Sequence, residues 1–208
     1  MDVLEAIKTR TTTQFFDKEK SLSEAQIQEL AGFALEAPSS FNLQQTRLIA
    51  VTEPEAKERL KAAAWNQPKV GDAAATFIVL GDLGALEKHP DLIGRAMRQG
   101  VVPEPVGTKM IKGAHDYYSV GKQRIHEEAI RSASLAAMNL MLAAHAKGYG
   151  CGPMIGFEPE KVKAEFNIPD RYVVVLLIAV GYALPGNPSR KPRLTVEEAL
   201  SFNTCGPF

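Results

Sequence analysis

From Glu127 to Lys147 no proline or glycine interrupts a run dominated by alanine, leucine and methionine, and Gly148-Tyr-Gly-Cys-Gly-Pro-Met-Ile-Gly-Phe157 follows at once. Such a run prefers helix. Residues 124–147 predict a helix of roughly 36 Å at 1.5 Å per residue. After Ala133, apolar side chains occupy nearly every angle (Leu135, Ala136, Met138, Leu140, Met141, Leu142, Ala144), which predicts burial on more than one side. Gly148 supplies a left-handed helix stop. The glycines and proline beyond it bring bare backbone close to something. A rigid post carrying a ligand platform is one reading. On this stretch alone, a core helix with an ordinary glycine stop is the simpler one.

The rest of the composition narrows the function class. At 208 residues the chain suits a single domain, residues 1–208, with a sizeable core. Its 24 basic and 24 acidic residues cancel. No global field is therefore available for nucleic acid or an anionic membrane. Met1-Asp-Val-Leu-Glu5 lacks a basic leader, and the apolar runs 135–146 and 173–180 are too short to span a bilayer. Cys151 and Cys205 show no paired spacing, so free thiols in a reducing cytoplasm are expected. Four scattered histidines make no metal constellation, and His145 belongs with its helix.

In chain order, Val3, Leu4 and Ile7 mark a short helix ahead of Arg10-Thr-Thr-Thr-Gln14. An arginine beside hydroxyls suits a phosphate. A polar loop whose threonines bond their own backbone is the commoner meaning. Ser23 and Gln26 form a capping box for a helix ended by Pro38. Pro38-Ser-Ser-Phe-Asn-Leu-Gln44 then leads into a strand at 46–52. Pro54 opens a helix, Trp65-Asn-Gln-Pro-Lys69 follows, and 76–80 reads as a buried strand. Between Gly81 and Gly121 only one short helix is legible, around Leu92–Met97. Pro103 and Pro105 read as loop markers, and Tyr117-Tyr118 as part of a mobile stretch. Glu158-Pro159 starts another helix, and 172–181 is a strand without alternation, hence buried on both faces. Pro188-Ser-Arg-Lys-Pro-Arg-Leu194 is basic and precedes a Thr195/Glu198 capping box. Lys191 and Arg193 there suit a phosphate or a solvated turn equally. This order predicts a layered mixed α/β or α+β domain, a sheet against helices. The glycines after Gly148 follow a helix rather than a strand, which excludes a dinucleotide-binding fingerprint.

Six pieces in register resemble the flavin-dependent nitroreductases. They are Arg10-Thr-Thr-Thr-Gln-Phe-Phe-Asp17, Ala37-Pro-Ser-Ser-Phe-Asn-Leu-Gln44, Asn66-Gln-Pro-Lys69, Asn139 to Gly148, Gly152-Pro-Met-Ile-Gly-Phe157 and Lys191-Pro-Arg193. Each is weak alone, but together they cover most of the chain. The resemblance implies an α+β fold with a central, mostly antiparallel sheet flanked by helices, in an intertwined homodimer with FMN at two shared interface sites. It assigns the FMN phosphate to Arg10, Thr12, Lys191 and Arg193, with Thr11 beside them. It sets Asn66 and Lys69 at the polar edge of the isoalloxazine. Pro38, Ser39, Ser40 and Asn42 come from the other subunit, and Pro153, Met154, Ile155 and Gly156 pass beside the ring. The long helix lies at the dimer axis. NADPH or NADH donates electrons, and a nitroaromatic, quinone or similar small molecule accepts them in a ping-pong cycle. The flavin carries the chemistry, so no catalytic side chain is nominated. Same-fold alternatives are reductive dehalogenation, flavin cleavage or flavin storage without turnover. Two departures stand out. Gln14 replaces a cation near the flavin pyrimidine in many relatives, and Ile155 replaces a glutamate found in one branch.

Overall fold

The structure is a computed structural model and describes residues 1–206. Four strands form one antiparallel sheet in the order β1-β2-β4-β3: β1 (Thr46–Val51), β2 (Ala75–Asp82), β3 (Gly150–Met154) and β4 (Tyr172–Gly181). Helices cover both faces. The strands explain this directly, because the period-two alternation of a strand sends neighbours to opposite sides. On β2, Phe77 and Val79 pack with Leu30 and Ala34 of α2 (Glu24–Leu35) and with Ala133, Ala137 and Leu140 of α7 (Lys122–Ala146). Ile78 and Leu80 turn the other way, to Leu60 and Ala63 of α3 (Pro54–Ala63) and Val162 of α8 (Pro159–Glu165). β4 does the same with Ile178 and Val180 against Leu177 and Ala179. With apolar residues needed on both faces, alternation of hydrophobicity vanishes. From Leu177 to Gly181 every residue is buried.

Local signals set the remaining boundaries. Asp2 caps α1 (Val3–Thr9) by accepting from the Glu5 N–H at 2.9 Å. The Ser23/Gln26 and Thr195/Glu198 capping boxes both form, the second on α9 (Val196–Ala199). Prolines open α3, α4 (Pro68–Asp72) and α8. Gly148 ends α7 at φ 84°, the left-handed geometry that glycine adopts without strain.

The middle of the chain corrects the expectation of a single short helix. It holds α5 (Ala85–Arg98) and α6 (Glu104–Tyr118), packed on each other. Pro103 and Pro105 are not loop markers but the N-cap and first turn of α6, where a missing N–H costs nothing. Pro90 sits inside α5 and disguised it. Tyr117 and Tyr118 close α6 with their rings edge-to-face at 4.9 Å, and Tyr118 is buried. No helix among the described residues is long and apolar enough to cross a membrane.

Within one chain, α7 is buried on the side that faces the sheet and α2. One side carries Ala129, Ala133, Ala136, Ala137, Leu140 and Ala144 into the core, while Ile130, Leu135 and Met138 remain exposed, as do Phe33 and Leu35 of α2. Residues 183–206 run across the surface exposed along almost their whole length, Leu194, Val196, Leu200 and Phe202 included.

Candidate functional site

The segment before α2 builds one wall of a cleft. Thr12 bridges Cys151 of β3, the Thr13 N–H donates to the Cys151 carbonyl at 2.9 Å, and Phe16 bridges Ala183. Residues 12–16 thus run as an extended strip between β3 and the chain beyond β4. Two glycines admit it. A Cβ on Gly150 would stand 2.6 Å from Thr13 Oγ1, and one on Gly152 would stand 2.6 Å from the Thr13 carbonyl oxygen. Gly152 therefore makes room for the backbone of Thr13, and Gly150 for its side chain, rather than for a ligand.

Against this strip lies the basic segment. Thr11, Thr12, Gln14, Pro188, Ser189, Arg190, Lys191 and Arg193 line a cleft of about 370 Å³. Three cations, hydroxyls and no carboxylate face that space, a composition that attracts an anion. Arg193 Nη1 donates to the carbonyls of Lys191 (2.9 Å) and Pro192 (3.2 Å), folding its own turn. Arg10 is not part of this lining. Its Nη1 donates to the Thr11 carbonyl at 3.2 Å, and its charge bears on Cys151 and His145. Burial pushes the Cys151 thiol up, against the pull of Arg10. Burial pulls the His145 imidazole down, Arg10 reinforcing it, and His145 Nε2 meets Thr9 Oγ1 at 2.8 Å.

A second group joins the same edge of the sheet. Lys69, at the start of α4, is buried, makes no ion pair among the described residues, and lies with its stem over Gly152. Burial lowers its pKa. A buried ammonium without a counter-charge is costly, and an anionic neighbour would relieve that cost. Gln67 Nε2 donates to the Gly156 carbonyl at 2.7 Å, and the Trp65 ring covers Gly156. Along the segment after α7, Pro153 is half-buried and Met154 turns its side chain into the core, so Met154 offers only backbone. Ile155 is exposed, and neither its N–H nor that of Gly156 has a hydrogen-bond partner among the described residues.

Pro38, Ser39, Ser40 and Asn42 lie elsewhere. Pro38 and Ser39 line a separate cleft of about 340 Å³ against α2, β1 and Ala136 of α7. The strand that follows them is β1, at the opposite edge from β3. Three strand spacings separate those edges, about 14 Å. Thr46 is also level with Gly81 and Val173, whereas Gly152 pairs with Ala179, a further offset of roughly 20 Å along β4. One chain does not bring the two groups together.

The loop at 39–44 is nevertheless built with care. Phe41, Asn42 and Gln44 have positive φ (50°, 57° and 48°), as do Trp65 (52°) and Asn66 (56°). Five of the seven such non-glycine residues among those described therefore fall in these two loops, and strain of this kind concentrates at functional sites. His89 of α5 holds the Phe41 carbonyl from Nε2 at 2.7 Å, and the Phe41 ring packs on Tyr117 and Tyr118. Tyr118 faces Ser40 and the buried Glu128. Burial raises its phenol, the Ser40 hydroxyl opposes that, and Glu128 adds to it. None of Trp65, Gln67, His89 or Asn187 stood out in the sequence. Only the Trp65-Asn-Gln-Pro motif hinted at the first two.

Comparison with known proteins shows the family and the fold. The pattern of the Nitroreductase family matches residues 7–182. MhqN of Bacillus subtilis (strain 168), named as an NAD(P)H nitroreductase, is 35% identical over 188 residues, covering 90% of each chain. The crystal structure of the nitroreductase ydfN from Bacillus subtilis superposes with a TM-score of 0.90 at 33% identity, over 96% of this chain and 97% of that one. A structure described as a nitroreductase in complex with FMN, from Exiguobacterium sibiricum 255-15, gives a TM-score of 0.90 at 28% identity over 97% of both chains.

Proposed function

This chain belongs to the nitroreductase family, and we propose that it is an FMN-dependent NAD(P)H oxidoreductase acting as an intertwined homodimer. Its acceptors are nitroaromatics, quinones or similar small molecules. The observation that carries this reading is the cleft in which Thr11, Thr12, Lys191 and Arg193 converge with no carboxylate among the lining residues. A phosphate dianion needs that arrangement, and a chain with balanced charge supplies it only by such clustering.

The neighbouring residues fit the rest of FMN. Buried Lys69 offers an uncompensated positive charge beside Gly152, and Asn66 lies three residues before it. The unpartnered N–H groups at Ile155 and Gly156 offer donors, held in place by Gln67 and Trp65. Gln14, a neutral donor, leaves Lys69 as the cation at the polar edge of the ring. When bound, FMN supplies the redox chemistry, accepting hydride from NADH or NADPH and delivering it to the acceptor. The protein binds, orients and excludes water, and no side chain needs to act as acid or base.

Two further observations favour the dimer. Pro38, Ser39, Ser40 and Asn42 reach a flavin held at the β3 edge only when they come from a second copy. The exposed apolar residues of α2 and α7, and Leu194, Val196, Leu200 and Phe202 of the arm at 183–206, then find a surface to cover.

Chromatography of flavin released on denaturation, followed by anaerobic titration with NADH and NADPH, tests the whole reading. The expected result is FMN that bleaches with nicotinamide and recovers its colour with a nitroaromatic or quinone. FAD, or a chain that takes up no flavin, would overturn the cofactor assignment. FMN that neither nicotinamide bleaches would mark a storage protein.

A further inference from the structure

The anion cleft has two walls that are far apart in sequence, residues 11–14 and 188–193. A single side chain ties them together. Asn187 Oδ1 accepts from the Gln14 N–H at 2.6 Å and the Phe15 N–H at 3.0 Å. Its Nδ2 donates to the carbonyls of Phe15 at 2.9 Å and Leu184 at 2.8 Å. Two donors reach the oxygen and two acceptors reach the nitrogen, which fixes the orientation of the amide. All four positions of this side chain are used on backbone. Gly186, at φ 86°, turns the chain so that Asn187 points back at the strip.

We propose that Asn187 is the positioning residue that holds the two walls of the cleft in register, and thereby sets the preference for a phosphorylated over an unphosphorylated flavin. The proposal rests on the reading of this cleft as the FMN phosphate site. The Gln14 and Phe15 N–H groups have no other partner among the described residues. Thr12 lies two residues before Gln14, across Thr13, and Pro188 to Arg193 follow Asn187 directly. Slack at Asn187 is therefore transmitted to the groups on both walls at once. The fold itself does not depend on the amide. The strip stays pinned by the Thr13 N–H to Cys151, the Asp17 N–H to Tyr182 and the Leu184 N–H to Phe15. Gln14 is half-buried and Phe15 exposed, so water can replace the lost partner in a variant.

The experiment titrates apo-protein with FMN and with riboflavin, which lacks the phosphate, in wild type, Asn187→Ala and Arg193→Ala. The expected result is FMN affinity at least roughly tenfold weaker in Asn187→Ala, because the four backbone hydrogen bonds that tie the walls together are lost, with riboflavin affinity changed by no more than about threefold. Equal weakening of both flavins would reduce Asn187 to a structural prop and overturn the proposal. The same holds if Asn187→Ala keeps the full FMN preference while Arg193→Ala loses it, a result that leaves the phosphate reading intact. Wild type that binds both flavins equally would instead remove the phosphate reading itself. A second measurement uses wild type alone. Hydrogen exchange at the Gln14 and Phe15 amides should slow on binding FMN and much less on binding riboflavin. Identical slowing by the two flavins counts against the proposal.

Discussion

Gly152→Ala tests whether the strip at 12–16 is held where the cleft requires it. The added Cβ would stand 2.6 Å from the Thr13 carbonyl oxygen, a backbone atom that cannot swing aside. Carbon–oxygen contacts settle near 3.3 Å, so about 0.7 Å of displacement is needed. Thr13 is itself tied to Cys151 by its N–H at 2.9 Å. Either that bond stretches or β3 shifts against β4. Overpacking costs about 1–3 kcal/mol and the hydrogen bond about 1 kcal/mol more. The expected loss is about 2–4 kcal/mol, or roughly 5–15 °C in Tm for a chain of this size. Urea unfolding of the apo-protein at fixed concentration, followed by two spectroscopic probes, measures it. Gly94→Ala is the matched control. Gly94 lies inside α5, and its added Cβ would meet only the flexible end of Arg98 at 3.4 Å. Alanine should stabilise that helix by about 0.5–1 kcal/mol. The reasoning fails if Gly152→Ala stays within about 0.5 kcal/mol of wild type, or if both variants shift stability in the same direction.

Light scattering should give twice 22.6 kDa, and Leu135→Asp combined with Met138→Asp should give a monomer that loses FMN; a monomeric wild type that retains FMN would refute the shared site. Lys69 supplies a pH test. Burial lowers its folded pKa below the ordinary lysine value of 10.5, so its charged form is penalised at neutral pH and relieved as pH rises through the folded pKa toward 10.5. Wild-type apo-protein should therefore gain stability over Lys69→Met across that rise, and a constant difference in urea midpoints between the two proteins from neutral pH to pH 10 would contradict it.

Much of the fold was legible because local chemistry dictated it. Ser23 with Gln26, Thr195 with Glu198, and Pro54 and Pro159 acted where they stood. β4 appeared at 172–181 because its uninterrupted apolar run has no other use in a two-faced sheet. The middle was illegible for an equally local reason. Pro90, Gly94, Gly107 and Gly113 lie within α5 and α6, and helix propensity reads each of them as a break. Tertiary contacts override it there: His89 binds the Phe41 carbonyl, and the Phe41 ring edge would lie 3.2 Å from a Cβ on Gly113. The glycine that seems to interrupt α6 is what lets the strained loop dock against it.

The candidate site divides along the same line. Motifs that present side chains, such as Thr12, Lys69, Lys191 and Arg193, were visible as residue types in sequence. What could not be seen was their support, because it is made of backbone. Asn187 joins Gln14 across 173 positions through a main-chain N–H, and a main-chain group carries no sequence signature. Gly150 and Gly152 looked like ligand-facing backbone, yet they face Thr13. Nor could sequence order reveal that Pro38, Ser39, Ser40 and Asn42 belong to the far edge of the sheet. Strand order β1-β2-β4-β3 puts β4 between β2 and β3, and that insertion separates the two halves of the site. On the proposed reading, one flavin uses both the Lys191/Arg193 cleft and the Ser39/Ser40 loop, which lie toward opposite edges of one sheet. That reading requires a second copy of the chain, and the exposed apolar residues of α2 and α7 are the surface proposed to receive it.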